Sequence, residues 1–148
     1  MELQILRRPQ VDDSHLPETL SPRLRQIYAS RGVRSAHELE KSASALLPPS
    51  GLLGLAHGLR LLAAALEQQQ RILIVGDFDA DGATSSALCV LALRAMGGRH
   101  VDFLVPNRFE YGYGLSPEIV ALAAERGAEL LLTVDNGISS LSGVAAAR

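Results

Sequence analysis

Asp77, Asp79 and Asp81 stand at alternate positions behind the apolar run Ile72-Leu73-Ile74-Val75, and Gly82 then hands the chain to an alanine-rich segment. Carboxylates crowded at this spacing repel one another, and each raises its neighbour's pKa unless a cation sits among them. The missing charge is expected to be a divalent metal. Oxygen-only sites favour hard cations, magnesium or manganese, and two such ions about 3.5–4 Å apart can clamp the attacking and leaving oxygens of a phosphoryl transfer. Asp135, followed by Asn136-Gly137, is a fourth carboxylate in a similar setting, so Asp79, Asp81 and Asp135 are the expected ligands. An aspartate ahead of a helix also serves as an N-cap. Capping accounts for one of these residues but not for all of them.

The elements that must position these side chains can be read from the apolar pattern. Arg71 to Val75, Val101 to Val105 and Leu130 to Val134 are the strand candidates, with Asp102 interrupting the second. Helical stretches alternate with them: Ala83 to Met96, a segment opened by Ser116-Pro117-Glu118 and closed by Gly127, and a last one beginning near Ser139 or Ser140. Strands alternating with helices over short connections predict an α/β fold, a parallel sheet with helices on both faces. In such sheets ligands bind beyond the carboxyl ends of the strands. That rule gathers Asp77, Asp79 and Asp81 after the first strand, the 106–115 loop after the second, and Asp135 after the third. In the loop, Arg108 is a plausible phosphate clamp and Tyr113 is placed to stack on a base or sugar. Asn136-Gly137 lets the chain turn at once after Asp135, and the backbone N–H groups that follow could meet an anion.

Residues 1–50 read as a short helical extension and 51–148 as the first part of the α/β domain. Ser21-Pro22 opens a short helix that Gly32 ends, and Ser35-Ala36-His37-Glu38 has the spacing of a capping box that should open a second. Leu52, Leu55, Leu59, Leu62 and Leu66 form one stripe of an amphipathic helix that should cover the sheet. The chain ends at Arg148, within what reads as a crossover helix, and is therefore expected to be the front of a longer protein.

A chain of 148 residues with 47% apolar and 20% charged content can bury a real core. Its net charge of −2 excludes a global basic footprint, so any nucleic-acid contact must be local. The single cysteine, Cys89, excludes a disulfide framework and a multi-cysteine zinc site, and its apolar helical setting points to core packing. No signal pattern opens the chain and no apolar run approaches the roughly 20 residues of a membrane span. A cytoplasmic protein without membrane contact is the default expectation.

Three stretches together carry a family resemblance. Gly76 to Ser85, Val105-Pro106-Asn107-Arg108-Phe109 with Gly112-Tyr113-Gly114-Leu115, and Thr133 to Ser139 resemble the first three motifs of the DHH phosphoesterases. Tyr28-Ala29-Ser30-Arg31-Gly32-Val33 resembles the same family, in particular its bacterial single-strand-specific 5′-to-3′ exonucleases. The resemblance implies a manganese- or magnesium-dependent nuclease of single-stranded DNA that releases 5′ mononucleotides in recombination and repair, with a single-strand-binding protein and a repair helicase as partners. By motif, Asp79, Asp81 and Asp135 are implied metal ligands, Asp77 a ligand or the partner of one, and Arg108, Tyr113 and Asn136 contacts to the substrate. The Asp-His-His triplet that names the family is absent from this sequence, so the two-metal site is expected to be incomplete and the chain alone inactive or weak.

Three other readings stay open. Within the family, the substrate could be short oligonucleotides or cyclic dinucleotides. Asp79-Ala80-Asp81-Gly82 also resembles the nucleophile motif of haloacid-dehalogenase phosphatases, although the threonine falls one residue late and no lysine follows Lys41. A non-catalytic metal-binding or interaction module is the third.

Overall fold

The computed structural model describes residues 9–148. They divide into two compact units, one up to Leu52 and the other Leu53–Arg148.

In the first unit, helix α1 (Pro22–Ser30) begins where Ser21 Oγ accepts the Leu24 N–H and proline occupies the first turn. Gln26 ties this helix to the preceding segment, donating to the Val11 carbonyl and to Asp13 Oδ2, both at 2.9 Å. The helix expected from Ser35 is instead one 3₁₀ turn, Ala36–Leu39. Neither reciprocal bond of its capping box is made: Glu38 accepts the N–H of Arg34, one residue ahead of the cap, at 2.9 Å and the Ser35 hydroxyl, and Ser35 caps no backbone group. With both bonds of the reciprocal pair missing and Pro48-Pro49 ahead, nothing sustains a longer helix.

The second unit holds the sheet. Helix α2 (Leu55–Glu67) precedes strand β1 (Ile72–Val75); α3 (Ala80–Ala95) leads to β2 (Val101–Leu104); the single turn α4 (Arg108–Tyr111) and α5 (Pro117–Glu125) lead to β3 (Leu130–Thr133), and α6 (Leu141–Ala147) follows. The strands are parallel in the order β2-β1-β3, with Ile72 paired to Val101 and Leu130 and Val75 paired to Leu104 and Thr133.

Because side chains alternate across a strand, β1 serves two cores. Leu73 and Val75 pack with Leu104, Leu115, Ile119, Val120 and Ala123, which places α5 on one face. Ile72 and Ile74 pack with Ala65, Val90, Leu93 and Val101, which places α2 and α3 on the other. The expected parallel sheet with helices on both faces is therefore present. Cys89 packs against the second core, where burial pushes its thiol pKa up.

The leucine stripe of α2 begins later than its spacing suggests. Gly54 takes a left-handed conformation (φ 75°) and starts the helix at Leu55, so Leu52 falls outside it and is exposed, as is Leu59. Leu62, Ala65 and Leu66 make the contact with the sheet. At α5 the capping signal holds: Ser116 Oγ accepts the Ile119 N–H at 3.4 Å and Pro117 occupies the first turn. Loss of that cap in Ser116→Ala is expected to destabilise the fold by about 1 kcal/mol, or roughly 2–4 °C in melting temperature, as scanning calorimetry would measure.

Candidate metal centre

The carboxyl ends of all three strands lie at one edge of the sheet, and the acidic residues gather there. One carboxylate oxygen each from Asp77, Asp79 and Asp135 lies within 4.8 Å of the others. Asp77 is buried, whereas Asp79 and Asp135 are exposed, so the cluster has a closed floor and an open mouth. Asp81, in the first turn of α3, is not among the three mutually close carboxylates.

Each member is held by its own local structure. Asp79 is the N-cap of α3, its Oδ1 accepting the Gly82 N–H at 3.1 Å, so the capping role and a place in the cluster coexist in one residue. Asp77 Oδ1 accepts from Arg108 Nη2 and from the Phe78 N–H, both at 2.8 Å. Asp135 sits in a left-handed conformation (φ 60°) that aspartate tolerates better than most residues. Around it the Tyr113 hydroxyl donates to the Asp135 carbonyl at 3.0 Å, and Asn136 Nδ2 donates to the Val134 carbonyl at 3.1 Å and the Val75 carbonyl at 3.4 Å. Tyr113 and Asn136, both expected at substrate, thus also fix the turn that presents Asp135.

The electrostatics divide the cluster. The Arg108 guanidinium and then the Phe78 N–H hold the Asp77 carboxyl below the usual carboxylate range. Asp135 is pushed the other way, first by desolvation and then by the charges of Asp79, Asp81 and Asp77 and its hydrogen bond to Asp79. Asp81 is thus close enough to add to the repulsion. One arginine facing Asp77 leaves Asp79 and Asp135 uncompensated, and the free oxygens form an all-oxygen donor set that suits a hard divalent cation.

Arg108 reaches this edge from α4, a turn of helix inside the segment expected to be a plain loop. Asn107 caps that turn by accepting the Phe109 N–H at 3.1 Å. Besides pairing with Asp77, the guanidinium lies 5.4 Å from the Phe78 ring centroid and 5.6 Å from that of Tyr113. Phe78 and Phe109 meet edge to face at 6.1 Å, and both are exposed. The Arg108–Asp77 pair and these two phenylalanines were not read from the sequence; the only advance signal was an aromatic beside each charged residue, in Asp77-Phe78 and Arg108-Phe109.

The Asp77 shift fixes the sign of a pH effect. A carboxyl depressed in the folded state stabilises the fold above its unfolded pKa, and that contribution is lost as pH falls through the folded value. Arg108→Ala is therefore expected to narrow the difference in melting temperature between neutral and acid pH. The Arg108 side chain is 40% exposed, so solvent screening keeps the effect small. Equal narrowing in Arg108→Lys would show that the reach and donor geometry of the guanidinium, and not charge alone, hold Asp77.

Comparison with known proteins agrees with this architecture. The profile of the DHH family, N-terminal domain, matches residues 71–148. The chain is 60% identical over 141 residues to the single-stranded-DNA-specific exonuclease RecJ of Dickeya dadantii, covering 95% of this chain and 24% of that protein. It is 57% identical over 150 residues to the protein of the same name from Escherichia coli, covering 100% of this chain and 26% of the relative. The chain thus spans about a quarter of the length of these relatives. Among solved structures it is similar to exonuclease RecJ bound to manganese (44% identity, TM-score 0.55, 63% of this chain and 23% of the other). It is also similar to RecJ of Thermus thermophilus in complex with Mn2+ (37% identity, TM-score 0.51, 76% and 15%). With the family profile matched over more than half of its length, by a segment that contains all four aspartates, this chain belongs to the DHH family.

Proposed function

We propose that this chain supplies one wall of the metal-dependent active site of a single-strand-specific DNA exonuclease, which hydrolyses phosphodiester bonds from the 5′ end and releases 5′ mononucleotides. The observation that carries this reading is the meeting of Asp77, Asp79 and Asp135 from two strand ends, with Arg108 beside them. The names of the relatives support the substrate, and the manganese in the solved relatives supports the cation.

Asp79 and Asp135, with the remaining oxygen of Asp77, would hold Mn2+ or Mg2+; Asp81, in the first turn of α3, would be the further carboxylate for a two-metal arrangement. When bound, such cations supply Lewis acidity at a phosphodiester oxygen and lower the pKa of water. Arg108 keeps N–H donors beyond its bond to Asp77 and is placed to orient a terminal phosphate. Tyr113, Phe109 and Phe78 offer exposed rings on which bases of any sequence stack. Asn136 keeps the Asp135 turn in register with the end of β1.

The complete protein would act in recombination and repair in the cytoplasm, with a single-strand-binding protein and a helicase as partners. Among the described residues no helix is long and apolar enough to cross a membrane. Since this sequence carries no Asp-His-His triplet, the 148-residue chain alone is expected to turn over weakly at most.

The test is cleavage of end-labelled oligonucleotides by the complete protein with manganese. Degradation of single strands from the 5′ end, abolished by Asp79→Asn, is the expected result. Equal attack on duplexes, or no manganese-dependent cleavage, would overturn the proposal. A preference for dinucleotides or cyclic dinucleotides would favour the small-substrate reading, and calorimetric metal binding without cleavage would favour a non-catalytic module.

A further inference from the structure

The opposite edge of the sheet carries a second concentration of charge. Arg71 directly precedes β1, Arg99 and His100 precede β2, Arg94 lies in the last turn of α3, and Arg126 caps the end of α5. Together they line one concavity of about 330 Å³ at the amino ends of the strands, with Asp102 as its one carboxylate. Among the described residues no carboxylate lies within 4.0 Å of any of the four guanidinium groups; the ion pairs are Arg108–Asp77 and Arg25–Asp13. Asp102 Oδ1 instead accepts the Phe103 N–H, and the adjacent Glu129 accepts the Arg71 N–H.

Helix termini account for part of this cluster. A cation in the last turn of a helix meets the negative end of the helix dipole, which suits Arg94 and Arg126. Both also donate to carbonyls of β2, Arg94 Nη2 to Val101 at 2.8 Å and Arg126 Nη1 to Phe103 at 3.4 Å. Neither role applies to the side chains of Arg71 and Arg99, which have no such partner. Four guanidinium groups and an imidazole converging on one hollow, in a chain of net charge −2, make a local anion site.

We propose that this hollow binds the phosphodiester backbone of a nucleic-acid strand, as a second contact separate from the metal centre. Arginine's planar fork matches phosphate oxygens bidentately. Strands of four residues put roughly 13 Å between the two edges, so one strand that meets both must run several nucleotides along the outside of the domain. The inference rests on the functional reading above for its choice of polymer.

The test is fluorescence anisotropy of a labelled single-stranded oligonucleotide with the complete protein in EDTA, across a salt series. Each phosphate contact on a single strand contributes about −0.7 to the slope of log K against log salt, so Arg71→Ala/Arg99→Ala is expected to flatten that slope by about 1.4. Arg71→Lys/Arg99→Lys should recover most of it, and both pairs should melt like the parent because the residues are exposed. An unchanged slope in the alanine pair overturns the inference. So does loss of binding to a thymidine monophosphate or poly-glutamate probe while the oligonucleotide slope stays intact, since the hollow would then serve a mononucleotide or an acidic polypeptide. The readout needs no cleavage: a protein that binds through these arginines but does not cut DNA would overturn the nuclease reading and leave this site standing.

Discussion

Asp135→Asn is expected to raise the melting temperature of the metal-free chain and to abolish most of the rise that manganese brings to the parent. The cause is desolvation of the Asp135 carboxyl, followed by its crowding by Asp79, Asp81 and Asp77, which together hold its pKa up. A carboxyl whose folded pKa lies above its unfolded value destabilises the fold once both are ionised, and the penalty disappears as pH falls. The advantage of the variant should therefore be present at neutral pH and fade on acidification. A cation among the carboxylates removes the same penalty. A ligand at a hundredfold excess over its Kd is expected to raise the melting temperature of a chain of this size by about 5–10 °C, and the variant should lose most of that. Scanning calorimetry with manganese and with EDTA measures both effects. A variant that melts at the parental temperature in EDTA and keeps the full manganese response would show that the cluster is not where the cation binds.

The second large effect is steric. Gly82 is buried in the first turn of α3, and a Cβ built there would run into the backbone carbonyl group and Cα of Asp77. Main-chain atoms at the end of a central strand cannot step aside as a flexible side chain can, so Gly82→Ala forces α3 away from β1. Alanine gains about 1 kcal/mol over glycine in a helix interior. Overpacking typically costs 1–3 kcal/mol, and backbone clashes belong near the top of that range. The expected net result is a loss of about 1–2 kcal/mol together with weakened cation binding, because both Asp77 and the helix capped by Asp79 must move. Gly58→Ala in α2 is the control: a Cβ there meets nothing within 4 Å, so it should stabilise by about 0.5–1 kcal/mol. Denaturant unfolding of both variants decides the matter, and a stabilised Gly82→Ala would contradict the close packing of α3 on β1.

Much of this arrangement was legible before any coordinates. The strands announce themselves because Ile72-Leu73-Ile74-Val75 and Leu130-Leu131-Leu132 are buried or half-buried runs bounded by turn residues, and Ser116-Pro117 states its cap in two residues. The rule that ligands gather at strand carboxyl ends then brought Asp135 to Asp77 and Asp79 across more than fifty residues of chain. What escaped was set by geometry that no short window contains. The capping-box spacing at Ser35 did not reveal that Glu38 would turn to the Arg34 N–H and leave both reciprocal bonds unmade. Leucine spacing ran past Gly54, whose positive φ marks the true start of α2. Arg108 was singled out, yet its partner Asp77 lies 31 positions away and depends on how α4 folds the loop back. The arginines of the opposite edge are scattered from 71 to 126, although each lies just before a strand or at a helix end, and the parallel topology alone would have collected them.

The burial of β1 on both faces and its pairing on both sides also sets a timescale order within the site. Local opening costs least where few apolar contacts and few protected hydrogen bonds are broken. A strand with Ile74 and Val75 wholly inaccessible and neighbours on either flank belongs at the costly end. The single turn α4 and its exposed Phe109 belong at the other. Amide exchange at Ile74 and Val75 should therefore require near-global unfolding, while Arg108 and Phe109 exchange through small fluctuations. Asp77, anchored at the end of β1, is the fixed jaw of the site, and Arg108 is the jaw that opens.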